Sequence, residues 1–251
     1  MKETLLKVGG AELEEGPVLA SLVQAIRRLS ERGPLIVVHG GGPDIARLQK
    51  RLGISPTYVE GLRVTDSASL QVAEMVLSGT VNKRLTARLV NQGVQAIGLS
   101  GVDGGLLRAR KLQHPKGDLG RVGEITAVNK GLLRGLLRQG LVPVISPISL
   151  GDDGYPFNVN ADHVALAIGN ALTVEELIFV TDVPGVMRKD RLLSRLSARE
   201  AVALIDDGVI YGGMIPKVRA ALDAVQNGVG AVRITNLEGL LVGNAGTWIV
   251  S

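Results

Sequence analysis

The sequence contains no cysteine, few aromatic residues and no long apolar run. The absence of cysteine from all 251 residues excludes disulfide bonds, thiolate nucleophiles and cysteine-ligated zinc or iron–sulfur sites. No apolar stretch approaches the roughly 18 residues that a membrane-spanning helix needs. The N-terminal segment has neither the apolar core nor the cleavage site of a signal peptide. We therefore expect a soluble, cytoplasmic protein with no membrane partner.

The shortage of aromatic residues also bears on nucleic-acid binding. Two Phe, one Trp and three Tyr provide few platforms on which bases could stack. The 28 basic residues exceed the 24 acidic residues by only four, although the sequence pI is about 9.5. A small positive excess is typical of a solvated surface as well as of proteins that bind anionic metabolites. We expect no nucleic-acid partner.

Several catalytic signatures are missing as well. The sequence has no G-x-x-x-x-G-K-[ST], no G-x-G-x-x-G and no G-x-S-x-G, which argues against a P-loop NTPase, a dinucleotide-binding Rossmann site and a serine hydrolase elbow. His39, His114 and His163 lie far apart, without the spacing of metal ligands.

The residues that are present predict an α/β fold. Short runs rich in Val, Ile and Leu, each closed by a turn residue, predict buried strands. They are Leu5–Val8, Leu35–His39, Val94–Leu99, Val142–Ser146, Leu177–Thr181 and Ala231–Thr235. Apolar residues three and four apart predict helices between them. This alternation favours an open, mostly parallel sheet sandwiched by helices.

The predicted helices differ in the sequence signals that indicate them. Apolar stripes run through residues 19–29, 132–137 and 218–225, and a fourth consists of Val72, Met75, Val76 and Leu77. Ser197 and Glu200 form a capping-box pattern that opens a further helix. Residues 106–128 break the alternation and predict a hairpin with an exposed basic loop. We place a lobe boundary near residue 172, which gives lobes 1–172 and 173–251.

Three glycine clusters follow predicted strands or open predicted helices. They contain Gly9–Gly10, Gly40–Gly42 and Gly212–Gly213. Glycine allows the backbone to approach a ligand closely, and a helix N-terminus carries partial positive charge. Each cluster could therefore hold phosphate or carboxylate oxygens, although a tight turn without a ligand explains a single cluster equally well.

Charged and polar residues accompany these clusters. Lys7 lies at the end of a buried strand and Lys217 in the first turn of a helix, and both positions favour an anionic partner, either a ligand or a salt bridge. Asn158 and Asp162 bracket a helix start, where Asn160 is the most plausible cap. Arg63 has the planar fork that binds a carboxylate with two hydrogen bonds. The segment 181–186 could shape a nucleotide pocket or form a plain turn.

Eight motifs in order resemble those of the amino-acid kinase family. They are KVGG, VHGGGPDI, GLRVT, EMVLSGTVNK, GLSGVDGG, NVNAD, VTDVPGV and GGMIPKV, and the resemblance runs from Lys7 to Gly246. Within that family they are most similar to the members that phosphorylate N-acetyl-L-glutamate with ATP in arginine biosynthesis.

The resemblance implies a role for each matching residue. Lys7 and Lys217 would hold the transferring phosphoryl group, and Asp162 would orient both lysines. Acceptor binding would fall to Gly41, Gly42, Arg63 and Asn158. The nucleotide would be bound by Gly9, Gly10, Thr181, Asp182, Gly185, Val186, Val209, Ile210 and Tyr211.

The resemblance also implies the cofactors and the assembly. ATP would bring Mg²⁺, held mainly by the nucleotide phosphates and water, so the resemblance implies no dedicated metal ligand. The N-terminus starts almost at the first strand, like that of the shorter, homodimeric members. Two alternatives stay open: a related kinase that acts on 2-aminoadipate attached to a carrier protein, and a non-catalytic metabolite sensor on the same fold.

Overall fold

The computed structural model describes residues 3–250 and has sixteen strands in that part of the chain. Their bounds, in chain order, are β1 Thr4–Val8, β2 Leu35–His39, β3 Tyr58–Val59, β4 Leu62–Arg63, β5 Ala96–Ser100, β6 Leu107–Lys111, β7 Val122–Val128, β8 Val142–Ser146, β9 Ile148–Gly151, β10 Pro156–Val159, β11 Glu176–Val180, β12 Met187–Arg188, β13 Arg191–Leu192, β14 Arg195–Ser197, β15 Ala231–Thr235 and β16 Thr247–Val250.

Nine α-helices lie in the same described range. They are α1 Pro17–Ser30, α2 Gly42–Arg51, α3 Ser67–Glu74, α4 Asn82–Asn91, α5 Lys130–Arg138, α6 Ala161–Leu172, α7 Ala198–Asp206, α8 Met214–Gln226 and α9 Leu237–Val242. A π-helical segment, Met75–Val81, joins α3 to α4 without a break. None of the helices in residues 3–250 is both long and apolar enough to cross a membrane.

Eight strands form one sheet in the order β14-β16-β15-β11-β1-β2-β8-β5. The six strands from β15 to β5 in that order are parallel to one another, and β16 is antiparallel to β15. These six are the six strands that the sequence predicts, with ends that differ by at most two residues. Sequence reasoning missed β14 and β16.

Alternating side chains of the central strands fill two separate cores. Leu5 and Ile36 belong to the core on one face of the sheet, and Leu6 and Val37 belong to the core on the other. Successive residues of a strand point to opposite faces, so a strand buried on both sides is apolar throughout. Helices α5, α6 and α8 cover one face, and α1, α4 and α9 cover the other. The predicted open sheet sandwiched by helices is confirmed.

A smaller closed sheet, in the order β10-β7-β6-β9, lies beside the main one. Strands β6 and β7 are antiparallel, as predicted for residues 106–128. The basic side chains of the connecting loop are paired: Lys116 Nζ lies 2.6 Å and His114 Nε2 3.1 Å from the Glu60 carboxylate. Glu60 is in the tip of the β3–β4 hairpin, so the loop is fastened to that hairpin.

Two helical predictions can be compared in detail. The capping box of α7 is confirmed, because Ser197 and Glu200 each bond to the other's backbone N–H. The stripe that included Met75 needs a correction. Val72, Val76 and Leu77 are buried, whereas Met75 is 53% exposed and lies outside the buried face of the helix.

Candidate active site

Lys7, Asp162 and Lys217 meet at the carboxyl ends of the sheet strands. Lys7 Nζ lies 2.7 Å from Asp162 Oδ1, and Lys217 Nζ lies 3.6 Å from Asp162 Oδ2. Burial alone would raise the pKa of the Asp162 carboxyl, but the charges of Lys7 and Lys217 hold it below its ordinary value. One carboxylate therefore stays ionised between two ammonium groups.

The local sequence fixes the carboxylate in this place. Asn160 is the N-cap of α6, and its Oδ1 accepts a 2.8 Å hydrogen bond from the backbone N–H of Asp162. Asp162 thus lies in the first turn of α6, where a negative charge is favourable. Asn160 acts as the cap that the sequence indicates.

The first two glycine clusters pack against each other. A Cβ on Gly10 would lie 2.7 Å from Pro43 Cδ and 2.9 Å from Gly42 N, and a Cβ on Gly41 would lie 2.7 Å from Leu77 Cδ2. The Gly10 contacts include backbone atoms, so a side chain at position 10 would force the loops after β1 and β2 apart, whereas at position 41 the end of the Leu77 side chain would have to move. Among residues 3–250, no hydrogen bond within the protein uses the N–H of Gly41 or Gly42.

A pocket of about 230 Å³ brings together the four predicted acceptor residues, Gly41, Gly42, Arg63 and Asn158. The Arg63 guanidinium stacks 4.8 Å above the centre of the Tyr58 ring, which also lines the pocket. Such stacking and a planar fork orient an arginine for a carboxylate.

Two buried side chains support the acceptor residues from behind. Arg63 Nη1 donates to Gln49 Oε1, and Gln49 Nε2 donates to Ser69 Oγ over 3.1 Å. Asn158 Nδ2 donates to Thr65 Oγ1 over 3.2 Å. Sequence reasoning missed Tyr58, Gln49 and Ser69, because nothing in their local pattern shows that tertiary packing brings them to Arg63.

A larger cleft of about 780 Å³ lies on the other side of the lysine pair. It is lined by seven of the residues that the sequence assigns to the nucleotide, together with Lys217. The seven are Thr181, Asp182, Gly185, Val186, Val209, Ile210 and Tyr211. Gly9 and Gly10, the remaining two, line neither cavity; they lie against the glycine loop of the acceptor pocket.

Asp162 and the lysines connect the two cavities. Lys217 lines the large cleft, Asn160 and Ala161 line the small pocket, and Asp162 follows directly in the chain and pairs with Lys217. A group transferred from one cavity to the other would pass the two ammonium groups. This arrangement suits the transfer of an anionic group between two bound molecules.

The residues present fit a nucleotide and a cation carried by it. The N–H groups that have no partner in the described part of the chain, and the two lysines, can donate hydrogen bonds to phosphate oxygens. Within residues 3–250 no group of three His, Cys, Asp or Glu residues could hold a metal ion. Glu12 Oε2 is buried and has no hydrogen-bond partner there, and it lies next to Gly9. A free carboxylate oxygen beside a phosphate loop suits a hydrated cation.

Comparison with known proteins agrees with this geometry. The model of the amino acid kinase family matches residues 2–236. Acetylglutamate kinase of Roseiflexus sp. (strain RS-1) is 52% identical over 98% of this chain and 93% of its own length. Acetylglutamate kinase of Chloroflexus aurantiacus (strain ATCC 29366 / DSM 635 / J-10-fl) is 49% identical over 94% and 93%.

A solved structure resembles the whole chain. It is the N-acetylglutamate synthase of Neisseria gonorrhoeae complexed with coenzyme A and N-acetyl-glutamate, which superposes with a TM-score of 0.86 at 30% identity. The superposition covers 100% of this chain and 59% of the synthase chain.

The fold and the paired cavities define a phosphotransferase of the kinase class. More narrowly, the chain belongs to the amino acid kinase family.

Proposed function

We propose that this chain transfers the terminal phosphoryl group of ATP to the γ-carboxylate of N-acetyl-L-glutamate, giving N-acetyl-L-glutamyl 5-phosphate in arginine biosynthesis. The observation that carries the proposal is the placement of Asp162 between Lys7 and Lys217, next in the chain to Asn160 and Ala161 of the smaller pocket and paired with Lys217 of the larger cleft. The acetylglutamate kinases that match nearly the whole chain support the choice of acceptor.

The acceptor pocket contains groups for both ends of such a molecule. Arg63 and Asn158 bind the α-carboxylate end, and the N–H groups of Gly41 and Gly42 bind the γ-carboxylate that receives the phosphoryl group. The pocket measures about 230 Å³, and the choice of the free acid over a carrier-bound one is supported by the acetylglutamate kinases that match this chain.

The chemistry needs cations and positioning more than a base. A glutamate side chain has a pKa of about 4.3 and is already ionised near pH 7, so no proton has to be removed before attack. Lys7 and Lys217 stabilise the negative charge on the transferring group, and Asp162 holds them together before substrates bind. Mg²⁺ bound with the nucleotide would add further positive charge, and Glu12 is the acidic side chain beside Gly9 that could hold its water shell.

A hydroxamate assay tests the acceptor assignment. Hydroxylamine traps an acyl phosphate, and we expect turnover with ATP, Mg²⁺ and N-acetyl-L-glutamate. Parallel reactions contain N-acetyl-L-aspartate, unmodified L-glutamate and carrier-bound 2-aminoadipate. Turnover with one of these acids but not with N-acetyl-L-glutamate would contradict the assignment, and absence of turnover with every acid would favour a metabolite sensor.

Replacing one lysine tests the phosphoryl-transfer step. Lys217→Ala should lower kcat by about a hundredfold, because one of the charges that stabilises the transition state is lost. The Kd for ATP, measured by calorimetry, should rise only a few-fold. Lys130→Ala removes an exposed lysine from α5 and serves as the matched control. An unchanged kcat for Lys217→Ala would remove this residue from the mechanism.

The same proposal includes two lobes. Every residue that lines the nucleotide cleft lies between 181 and 217, and every residue that lines the acceptor pocket lies between 40 and 161. This separation supports an acceptor lobe of residues 1–172 and a nucleotide lobe of residues 173–251, in a cytoplasmic enzyme.

We also propose a homodimer formed through the acceptor lobe. Strand β5 is an outer strand of the main sheet, and an uncovered edge strand pairs readily with another chain. Met75 and Val90, on the helix that packs beside β5, are both 53% exposed. Light scattering after gel filtration should give twice the 26.3 kDa chain mass, whereas a single chain mass would contradict the dimer.

A further inference from the structure

His39 is completely buried at the end of β2, immediately before the glycine loop of the acceptor pocket. Its Nδ1 lies 2.9 Å from the carbonyl oxygen of Gly40, and its Nε2 lies 3.0 Å from Asn82 Nδ2. Neither side chain touches the acceptor pocket. Both are polar groups in an apolar core, where each needs hydrogen-bond partners.

The partners determine which ring nitrogen carries the proton. A carbonyl oxygen only accepts, so Nδ1 carries the hydrogen and donates to Gly40. The amide of Asn82 is oriented by its other contacts: Nδ2 faces the carbonyl oxygens of Val144 at 2.9 Å and Leu99 at 3.2 Å, and Oδ1 faces Lys83 Nζ at 3.2 Å. The two hydrogens of Nδ2 are shared among three acceptors, one of which is Nε2, and a donor facing Nε2 agrees with the proton on Nδ1.

The histidine bond also fixes the next peptide unit. A trans peptide is planar, and its C=O and N–H point in opposite directions. Because His39 holds the oxygen of Gly40, the N–H of Gly41 is held pointing away from the histidine ring. Gly41 lines the acceptor pocket, and its N–H makes no hydrogen bond within residues 3–250.

A position next to Asn82 keeps this arrangement possible. A Cβ on Gly98 would overlap Asn82 Oδ1 and would lie 2.6 Å from Thr86 Oγ1. Asn82 can therefore reach strands β2, β5 and β8 together only because residue 98 has no side chain. Through Asn82, the ring of His39 is therefore held by contacts to strands β5 and β8 of the main sheet.

We propose that His39 is a positioning residue, whose Nδ1–H holds the Gly40–Gly41 peptide so that the Gly41 N–H is presented to the acceptor carboxylate, while Asn82 selects the tautomer that can do so. The inference rests on the proposed function, since it concerns the acceptor end of the same site. It assigns to two core residues a task in acceptor binding that a purely structural role would not give them.

Two substitutions of His39 test the roles of its two ring nitrogens one at a time. The amide nitrogen of Asn lies close to the place of Nδ1 and can donate in its stead, whereas Gln reaches the place of Nε2, where its Oε1 can accept from Asn82 Nδ2. His39→Asn keeps the donor to Gly40, whereas His39→Gln loses it and keeps the contact with Asn82. We expect His39→Gln to raise the KM for N-acetyl-L-glutamate about tenfold, the effect of one misdirected hydrogen bond.

The control readouts distinguish positioning from general damage. The KM for ATP should change less than about twofold in both variants, and His39→Asn should keep the acceptor KM within about threefold of the original enzyme. Equal acceptor KM values in the two variants, or a parallel rise in the KM for ATP, would overturn the proposal. If the original enzyme does not turn over N-acetyl-L-glutamate, the proposed function fails, and these KM values no longer test the role of His39. The tautomer of His39 then tests that role.

Nitrogen NMR of the unmodified protein decides the question where a variant does not fold. With only three histidines in the chain, ¹⁵N-histidine labelling gives three ring systems. We expect that of His39 to carry its proton on Nδ1 and to shift when N-acetyl-L-glutamate is added. A proton on Nε2, or a ring that does not respond to the acceptor, would overturn the proposal.

Discussion

At the scale of single residues, Arg63 shows how neighbouring side chains orient an arginine that would bind the acceptor carboxylate. Its guanidinium is held by Gln49 and by the Tyr58 ring 4.8 Å away, and the residue lines the acceptor pocket. Arg63→Lys should raise the acceptor KM about tenfold with little change in the KM for ATP, because an ammonium group cannot reproduce the planar fork. Steady-state kinetics with both substrates measures this.

An exposed arginine provides the comparison for that substitution. Arg138→Lys changes the last turn of α5, away from both substrate cavities, and should leave both KM values as they are. If the acceptor KM were the same in Arg63→Lys and in the original enzyme, Arg63 would have no part in binding the carboxylate.

The burial of His39 leads to a prediction of how the free energy of unfolding depends on pH. Burial, with smaller contributions from the charges of Arg84 and Lys83, lowers its pKa from 6.5 to about 4, against the effect of the Gly40 carbonyl. The unfolded chain therefore takes up this proton more readily than the folded protein. As the pH falls from 6.5 to 4, the free energy of unfolding should decrease by about 3 kcal/mol through this residue.

Urea denaturation at several pH values measures that decrease. The variant His39→Asn has no titrating ring, so its unfolding free energy should fall less steeply over the same interval. Carboxylates common to both proteins contribute equally and cancel in the comparison. Parallel curves for the two proteins would show that His39 has an ordinary pKa in the folded state.

At the scale of secondary-structure elements, the loops after β1 and β2 are matched to each other. Gly10 touches Pro43 and the backbone of Gly42, so the start of α2 lies against the end of β1. Gly10→Ala should separate these loops and lower kcat/KM by more than about tenfold, because the groups that meet the phosphoryl acceptor are displaced together.

Another glycine provides the matched control for this effect. Gly135 lies inside α5 with no atom within 4 Å of the position of its Cβ. Gly135→Ala should keep the activity and raise the stability by about 0.5–1 kcal/mol, since alanine is the better helix former. Thermal unfolding and kinetics on both variants test the pair, and full activity in Gly10→Ala would contradict the close packing.

Elements also show where prediction from sequence works. The six central strands are buried on both faces, so their apolar runs are continuous and visible in the sequence. Strands β14 and β16 lie at or beside the edge of the sheet, and β14 has only three residues, one of them an arginine. β16 joins the sheet by pairing with β15, and β14 joins by pairing with β16; a local sequence pattern does not contain such pairings. Likewise, the hairpin of β6 and β7 was predicted, but not its closure by β9 and β10.

The residues of the candidate site also divide into those that the sequence indicates and those that only the structure reveals. Lys7, Asp162 and Lys217 stand out locally, because each is a charged residue beside a glycine cluster or a cap. Gln49, Ser69 and Asn82 are ordinary helix residues in the sequence, and only tertiary packing brings them to Arg63 and His39. The sequence therefore nominates residues that would touch substrates, while the residues that hold those in place become visible in the structure.

At the scale of the whole molecule, two cavities share one sheet. The acceptor pocket lies beyond β2 and the nucleotide cleft beyond β11, and β1 lies between these strands with a continuous parallel ladder to each. Four residue pairs, from Thr4 with Glu176 to Lys7 with Phe179, join β1 to β11. The predicted lobe boundary near residue 172 is therefore bridged by backbone hydrogen bonds.

That ladder determines how the two substrates can be brought together. A swing about a flexible linker would break buried backbone hydrogen bonds, each of which is costly to leave unmade. A small change in twist, distributed over several strands, keeps every bond and still changes the angle between the cavities. A motion that brings the two cavities closer while keeping this ladder would therefore be spread over the whole sheet, with no single hinge residue near position 172.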